Sequence, residues 1–145
     1  MTTTLYAGVS ARTGGTVSGL YRRDINEDQW HRATDGLADA THVHAIAVNP
    51  TDPAIVFAAA SNGIFRSQNR GQSWTRVVEP APREQMWSIL FHPSDPNILL
   101  CGTTPLGLYR SEDGGETWRR MPKPAVGERM VGAFPSRVMR LAIAP

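Results

Sequence analysis

Three tryptophans, Trp30, Trp74 and Trp118, stand 44 residues apart, twice in succession. The same interval carries Gly19, Gly63 and Gly107, Arg22, Arg66 and Arg110, and Arg32, Arg76 and Arg120. It also carries the aromatic trio Tyr21, Phe65 and Tyr109 and the aliphatic trio Leu20, Ile64 and Leu108. A period of this length constrains the fold more than any composition figure. Each unit is one supersecondary element that buries its apolar faces only against its neighbours.

Aligned copies define the unit. The second reads HAIAVNPTDPAIVFAAASNGIFRSQNRGQSWTRV and the third WSILFHPSDPNILLCGTTPLGLYRSEDGGETWRRM. Each divides into four short apolar segments separated by turn signals. The first is His44–Val48 or Trp87–Phe91, stopped by Asn49-Pro50 or His92-Pro93, since proline cannot donate to a ladder. The second is Ile55–Ala60 or Ile98–Gly102, and the third is Gly63–Arg66 or Gly107–Arg110. An eight-residue turn ending in tryptophan leads to the fourth, Ser73–Val77 or Thr117–Met121. Segments this short, rich in β-branched and aromatic residues, are strands. Four antiparallel strands per repeat of this length predict the blades of an all-β propeller.

The eight-residue turn carries a family resemblance. SEDGGETW (Ser111 to Trp118) matches the pattern Ser-X-Asp-X-Gly-X-Thr-Trp at every defined position. SQNRGQSW keeps Ser67, Gly71 and Trp74, with Asn69 in place of aspartate, and RDINEDQW keeps only Trp30. The chain therefore resembles the Asp-box, or BNR-repeat, propellers. These include sialidases, xyloglucan-cleaving glycosidases, sortilin-type receptors and photosystem II assembly factors. The resemblance covers nearly the whole chain, and it implies a fold rather than an activity, because fold does not carry function. It also implies that the box lies on the face opposite the ligand site.

The residue chemistry of the box suits a tight turn. Asn69 or Asp113 accepts hydrogen bonds from backbone N–H groups as in an Asx-turn, Gly71 or Gly115 supplies positive φ, and Trp74 or Trp118 buries a ring between units. Ser67, Ser111 and Thr117 complete a structural set. The arginines at equivalent places in successive blades, Arg22, Arg66 and Arg110, are expected to pair with backbone or carboxylates between blades. A sialidase triad instead converges on one centre from non-equivalent positions.

Functional candidates fall on the non-repeating loops, since loops on a rigid scaffold commonly carry binding. These are Ser10–Ser18, Ala33–Val43, Val78–Met86, Thr103–Leu106 and Pro122–Val138. Arg83, Glu84 and Trp87 cluster at one of them, and Glu128, Arg129 and Arg137 lie in another. Trp87 replaces His44 in the register, so the repeat does not demand it, and an exposed indole flanked by charge stacks a sugar ring or anchors a partner. The expected ligand contacts are Trp87, Arg83, Glu84 and Arg129. Glycosidase chemistry requires two carboxylates about 5–5.5 Å or 6.5–9.5 Å apart, and Glu84 with Glu128 is the pair to consider. A non-enzymatic binding or scaffold module is the first expectation, and a glycoside hydrolase the second.

Composition sets outer bounds. A chain of 145 residues, 41% hydrophobic and 19% charged, has a one-domain length and builds a packed core. Lys+Arg 15 against Asp+Glu 13 gives +2 without a basic block, which does not suggest nucleic acid. No apolar run approaches the roughly 20 residues of a membrane helix. The start MTTTLYAGVSAR lacks a basic segment followed by an apolar one, so a cytoplasmic protein is expected. Cys101, the only cysteine, aligns with small alanines and reads as a buried apolar residue. His42 and His44 share a strand face without an evident third ligand, so no metal and no cofactor are expected.

Strand arithmetic raises the question of partners. Residues 3–8, TTLYAG, match a second strand, and Met139 to Pro145, MRLAIAP, match a first strand. The repeats run approximately over 1–43, 44–86 and 87–138, with 139–145 a first strand of a further or partner blade. The count is three blades' worth of strands, while a closed propeller needs four to eight blades. The chain is expected either to be part of a longer propeller or to form half of a six-bladed ring. In the ring, Arg140–Ala144 of each copy completes the first blade of the other.

Overall fold

A computed structural model describes residues 2–10, 18–37, 41–125 and 136–144. Three antiparallel sheets follow one another along the chain, and the described residues contain no helix. The first sheet has β1 (Thr4–Val9), β2 (Gly19–Asp24) and β3 (His31–Arg32). The second has β4 (Val43–Val48), β5 (Val56–Ala60), β6 (Gly63–Ser67) and β7 (Thr75–Val78). The third has β8 (Gln85–Phe91), β9 (Leu99–Thr104), β10 (Gly107–Ser111) and β11 (Arg119–Met121). Each is a meander in chain order, so each is a propeller blade, and together they form part of a propeller. Among the described residues β1 has no strand on its outer edge, and it pairs with β2 as β5 pairs with β6. Residues 139–144, expected to be a strand, join no ladder among the described residues.

The blades are held by burial on both faces of the middle one. Val56, Ala58 and Ala60 of β5 pack toward the first blade with Leu20, Val43, Phe65 and Trp74. Phe57 and Ala59, on the alternate face of the same strand, pack toward the third with Met86, Ile89, Leu99 and Cys101. All five β5 side chains are buried, as expected of a strand covered on both faces. Alanines at three of these positions let neighbouring sheets approach. Cys101 occupies the structural place of Ala58, since it pairs with Tyr109 as Ala58 pairs with Phe65. Its thiol is buried beside Met86, and burial pushes its pKa well above the usual thiol range.

Two repeated residue types explain each other. A Cβ added at Gly63 would lie 3.0 Å from Cδ of Arg76, and one at Gly107 would lie 3.1 Å from Nη2 of Arg120. The glycine opening the third strand therefore leaves room for the arginine of the fourth strand to cross it. At Gly63, φ of 141° adds a second reason for glycine.

The eight-residue turns are closed by their own side chains. In the third blade, the Ser111 hydroxyl donates to Asp113 at 2.8 Å and accepts from the Gly115 amide at 2.9 Å. The Thr117 amide and hydroxyl donate to the Asp113 carboxylate at 2.9 and 2.5 Å. In the second blade, Ser67 and Asn69 repeat the arrangement, with Ser73 in the place of Thr117. Gly71 and Gly115 have φ of 73° and 88°. Trp74 is buried and donates from Nε1 to the Ala33 carbonyl of the first blade at 3.0 Å. Trp118 is half-buried and meets Phe57 of the second blade edge-on.

Trp74→Ala removes the ring that joins the first two blades, and a loss of roughly 3–5 kcal/mol is expected by urea unfolding. Trp118→Ala is expected to cost less, because its ring is only half covered. A second expectation concerns acid. The Thr117 hydroxyl, then its amide, then the Ser111 hydroxyl hold the Asp113 carboxyl down at about 2. Its unfolded value is about 4, so its contribution is complete above that pH and is lost as pH falls toward 2. Asp113→Asn, which copies the Asn69 turn, is expected to flatten this part of the melting-temperature profile between about pH 4 and pH 2.

Candidate functional site: the bulged rim of the inner strands

The first strands of the second and third blades, β4 and β8, pack against each other. Both break register at the same place. The β4–β5 ladder shifts between Val43 and Ala45, and the β8–β9 ladder shifts between Met86 and Ser88. The residues inside these irregularities are His44 and Trp87, which the sequence alignment makes equivalent. A bulge leaves its extra residue unpaired and re-aims its side chain. Here the two rings meet, with centroids 4.0 Å apart, and the Arg137 guanidinium lies over the Trp87 ring at 4.4 Å. His44 Nδ1 also lies 2.7 Å from the Met86 carbonyl. Burial lowers the His44 pKa against the opposing hydrogen bond to the Met86 carbonyl, and the nearby His42 and Arg137 side chains lower it further. His42 contacts the Ser10 hydroxyl at 2.6 Å, extending the polar rim toward the first blade.

Glu84 lies at the start of the same segment but faces inward, with a side chain only 3% exposed. Its Oε1 accepts from Arg120 Nη2 at 2.5 Å, and its Oε2 accepts from the Tyr109 hydroxyl at 2.8 Å and the Ala81 amide at 3.2 Å. The Thr103 hydroxyl lies 3.3 Å from Oε1 and 2.7 Å from the Pro105 carbonyl, between which its proton is shared. This carboxylate ties together the loop before β8 and strands β9, β10 and β11. Burial first, then its hydrogen bond and proximity to Glu84, raise the Tyr109 pKa.

The other candidates separate. Arg83 is exposed, has φ of 66°, and lines a shallow groove with Asn62, Arg76, Glu79 and Pro82. Trp87 is half-buried, with its ring engaged by His44 and Arg137 rather than open. Glu128 and Arg129 lie outside the described residues, as do 11–17 of the first variable loop. Sequence reasoning passed over the stacking of His44, whose contribution depends on a register shift that no local pattern reveals. Among the described residues no group of three or more His, Cys, Asp or Glu side chains is placed to hold a metal ion. Nor, among them, is any helix long and apolar enough to cross a membrane.

Glu84→Gln keeps the volume but weakens the charge-assisted bond from Arg120. A loss of about 1–3 kcal/mol is expected in chemical unfolding.

Comparison with known proteins gives the same architecture. An ancestral GH74 enzyme superposes with a TM-score of 0.62 at 22% identity, over 73% of this chain and 15% of that one. The GH74 enzyme of Niastella koreensis gives 0.60 at 22% identity, over 79% and 19% of the two chains. YCF48 bound to D1 peptide gives 0.55 at 17% identity, over 73% and 35%. The chain thus spans about a third or less of the length of these structures, and at such identities the likeness is one of fold. No curated protein matches the chain. The family model described as sortilin, neurotensin receptor 3, matches residues 21–133, most of the chain, from within β2 of the first blade through the third blade. With its sheets, turns and repeat in the same register, the chain belongs to this Sortilin-Vps10 family of Asp-box β-propellers.

Proposed function

We infer that this chain is a non-enzymatic binding and scaffold module, its ligand contacted on the rim that carries Trp87 and Arg83. The observation that supports this most directly is the state of Glu84. Both its oxygens are occupied by donors of its own blade, and its side chain is buried. A general acid or nucleophile needs an oxygen free to reach the scissile bond. Asp113 is similarly spent on its turn. The rim offers instead a rigid aromatic and cationic surface, set by two bulges on packed inner strands, and bulges recur where a side chain must be aimed. A reducing, cytoplasmic setting suits a chain whose one cysteine is free and fully buried.

The second expectation, a glycoside hydrolase, gains only a fold from the GH74 likeness. The test uses two defined probes, a xyloglucan oligosaccharide and sialyllactose, with product release followed by chromatography and binding by calorimetry. No release is expected with either probe, and any weak binding is expected to disappear in Trp87→Ala. Turnover by the wild-type chain that is lost in Glu84→Gln, with circular dichroism unchanged, would overturn this reading.

A further inference from the structure

Each blade seats on the next through the same contacts. On the following side of the first blade stand Tyr6, Gly8, Leu20 and Arg22, and on that of the second stand Phe57, Ala59, Ile64 and Arg66. Cross-strand pairing makes them equivalent: Tyr6 faces Arg22 as Phe57 faces Arg66, and Gly8 faces Leu20 as Ala59 faces Ile64. The aromatic residue meets the turn glycine of the next blade, Tyr6 against Gly71 and Phe57 against Gly115. The arginine reaches the same turn, Arg22 donating to the Arg70 carbonyl at 3.3 Å and Arg66 pairing with Glu116. First-strand side chains close the contact. A Cβ at Gly8 would touch Val43.

The third blade carries the same set, with Leu100 facing Arg110 and Gly102 facing Leu108. Leu100 and Leu108 are half-buried, whereas their counterparts Phe57 and Ile64 are fully buried. Among the described residues Arg110 pairs with Glu112 of its own turn, at 2.8 Å, a carboxylate that Arg119 also approaches. Val138 covers Gly102 as Val43 covers Gly8, and its amide donates to the Thr103 carbonyl at 3.1 Å. Residues 138–144 therefore begin to occupy the place of a first strand. Leu141 and Ile143 are half-buried and alternate with exposed Ala142 and Ala144, the period of a strand without a ladder partner.

The opposite side of the first blade supplies what is missing. Its β1 edge has no partner strand among the described residues. Its turn residues Ile25 and Trp30 are 50% and 41% exposed, whereas Trp74, the equivalent of Trp30, is buried against the preceding blade. At the turn position of Glu116, which receives Arg66, the first turn has exposed Asp28. At the position of Gly71 and Gly115 it has Glu27, and the side chain that would face it is the smaller Leu100 rather than Tyr or Phe.

We propose that the following side of the third blade receives the first blade of a second copy of this chain, head to tail, with Arg110 of one copy paired to Asp28 of the other. Residues 139–144 of each copy add to the β1 edge of the other, with Leu141 opposite Ala7, in the register that places Ile46 opposite Ala58. The contact is heterologous, and applying it twice closes a two-fold ring of six blades, leaving neither apolar face open. This deepens the scaffold reading and rests on it, but its test does not involve the rim ligand.

The experiment is light scattering on the full chain over a range of concentrations. Wild type is expected at twice 15.9 kDa. Arg110→Glu and Asp28→Arg each place like charges at both junctions, and each is expected to weaken the dimer at least about 100-fold. An equimolar mixture of the two variants restores opposite charges everywhere. One junction of the mixed dimer then carries the pair with its signs exchanged and the other keeps the native pair, so the dimer is expected to return. Melting curves of the separate variants check that they fold. A wild-type monomer at every concentration overturns the proposal. So does a wild-type dimer that survives either substitution, or folded variants that do not recombine. None of these results bears on the glycan titration.

Discussion

The structure depends on one recurring contact, the seating of each blade on the turn of the next. A four-stranded sheet of this size has two apolar faces and buries neither alone. The middle blade shows the solution, with alternate β5 side chains entering the cores on its two sides. Phe57 closes over Gly115, Trp74 binds the Ala33 carbonyl, and Arg66 reaches Glu116. Glycine at the fifth turn position is needed twice over, for its positive φ and for the ring that rests where a Cβ would be. Turn chemistry and core packing are thus one constraint, which explains why serine, glycine and tryptophan persist in the second turn although Asn69 stands there in place of aspartate.

The first turn shows what happens when that constraint is relaxed. Among the described residues its Trp30 meets no preceding blade, and the Arg23 guanidinium lies 5.2 Å from its ring centroid. Without a ring pressing on it, the fifth position accommodates Glu27.

The rim obeys a different logic. Register shifts at His44 and Trp87 sit at equivalent points of two repeats, yet the residues differ, so the scaffold is repeated while its surface is not. Stacking of His44, Trp87 and Arg137 couples two inner strands to a segment distant in sequence. Glu84 lies nearby and does opposite work: it turns inward and joins the strands of its own blade. Neighbours in the chain thus part company in the fold, Arg83 on the surface and Glu84 in the interior.

What the sequence determined was everything with a period. The 44-residue interval, the proline stops and the Ser-X-Asp-X-Gly-X-Thr-Trp turn define strands and blades because these features act locally, through φ preferences, missing donors and alternation. Strand limits came within a residue or two for that reason, as in Gly63–Ser67 against the expected Gly63–Arg66. The tertiary structure alone decided the facing of single side chains. Whether Glu84 meets solvent or Arg120, and whether Trp87 is open or stacked, depends on bulges and on contacts across 36 and 50 positions of chain. A one-residue shift in register reverses the face a side chain presents, and no local pattern reports that shift. The strand expected over 139–145 marks the same boundary: its alternating residues were legible, but a strand exists only where another edge is there to pair with it.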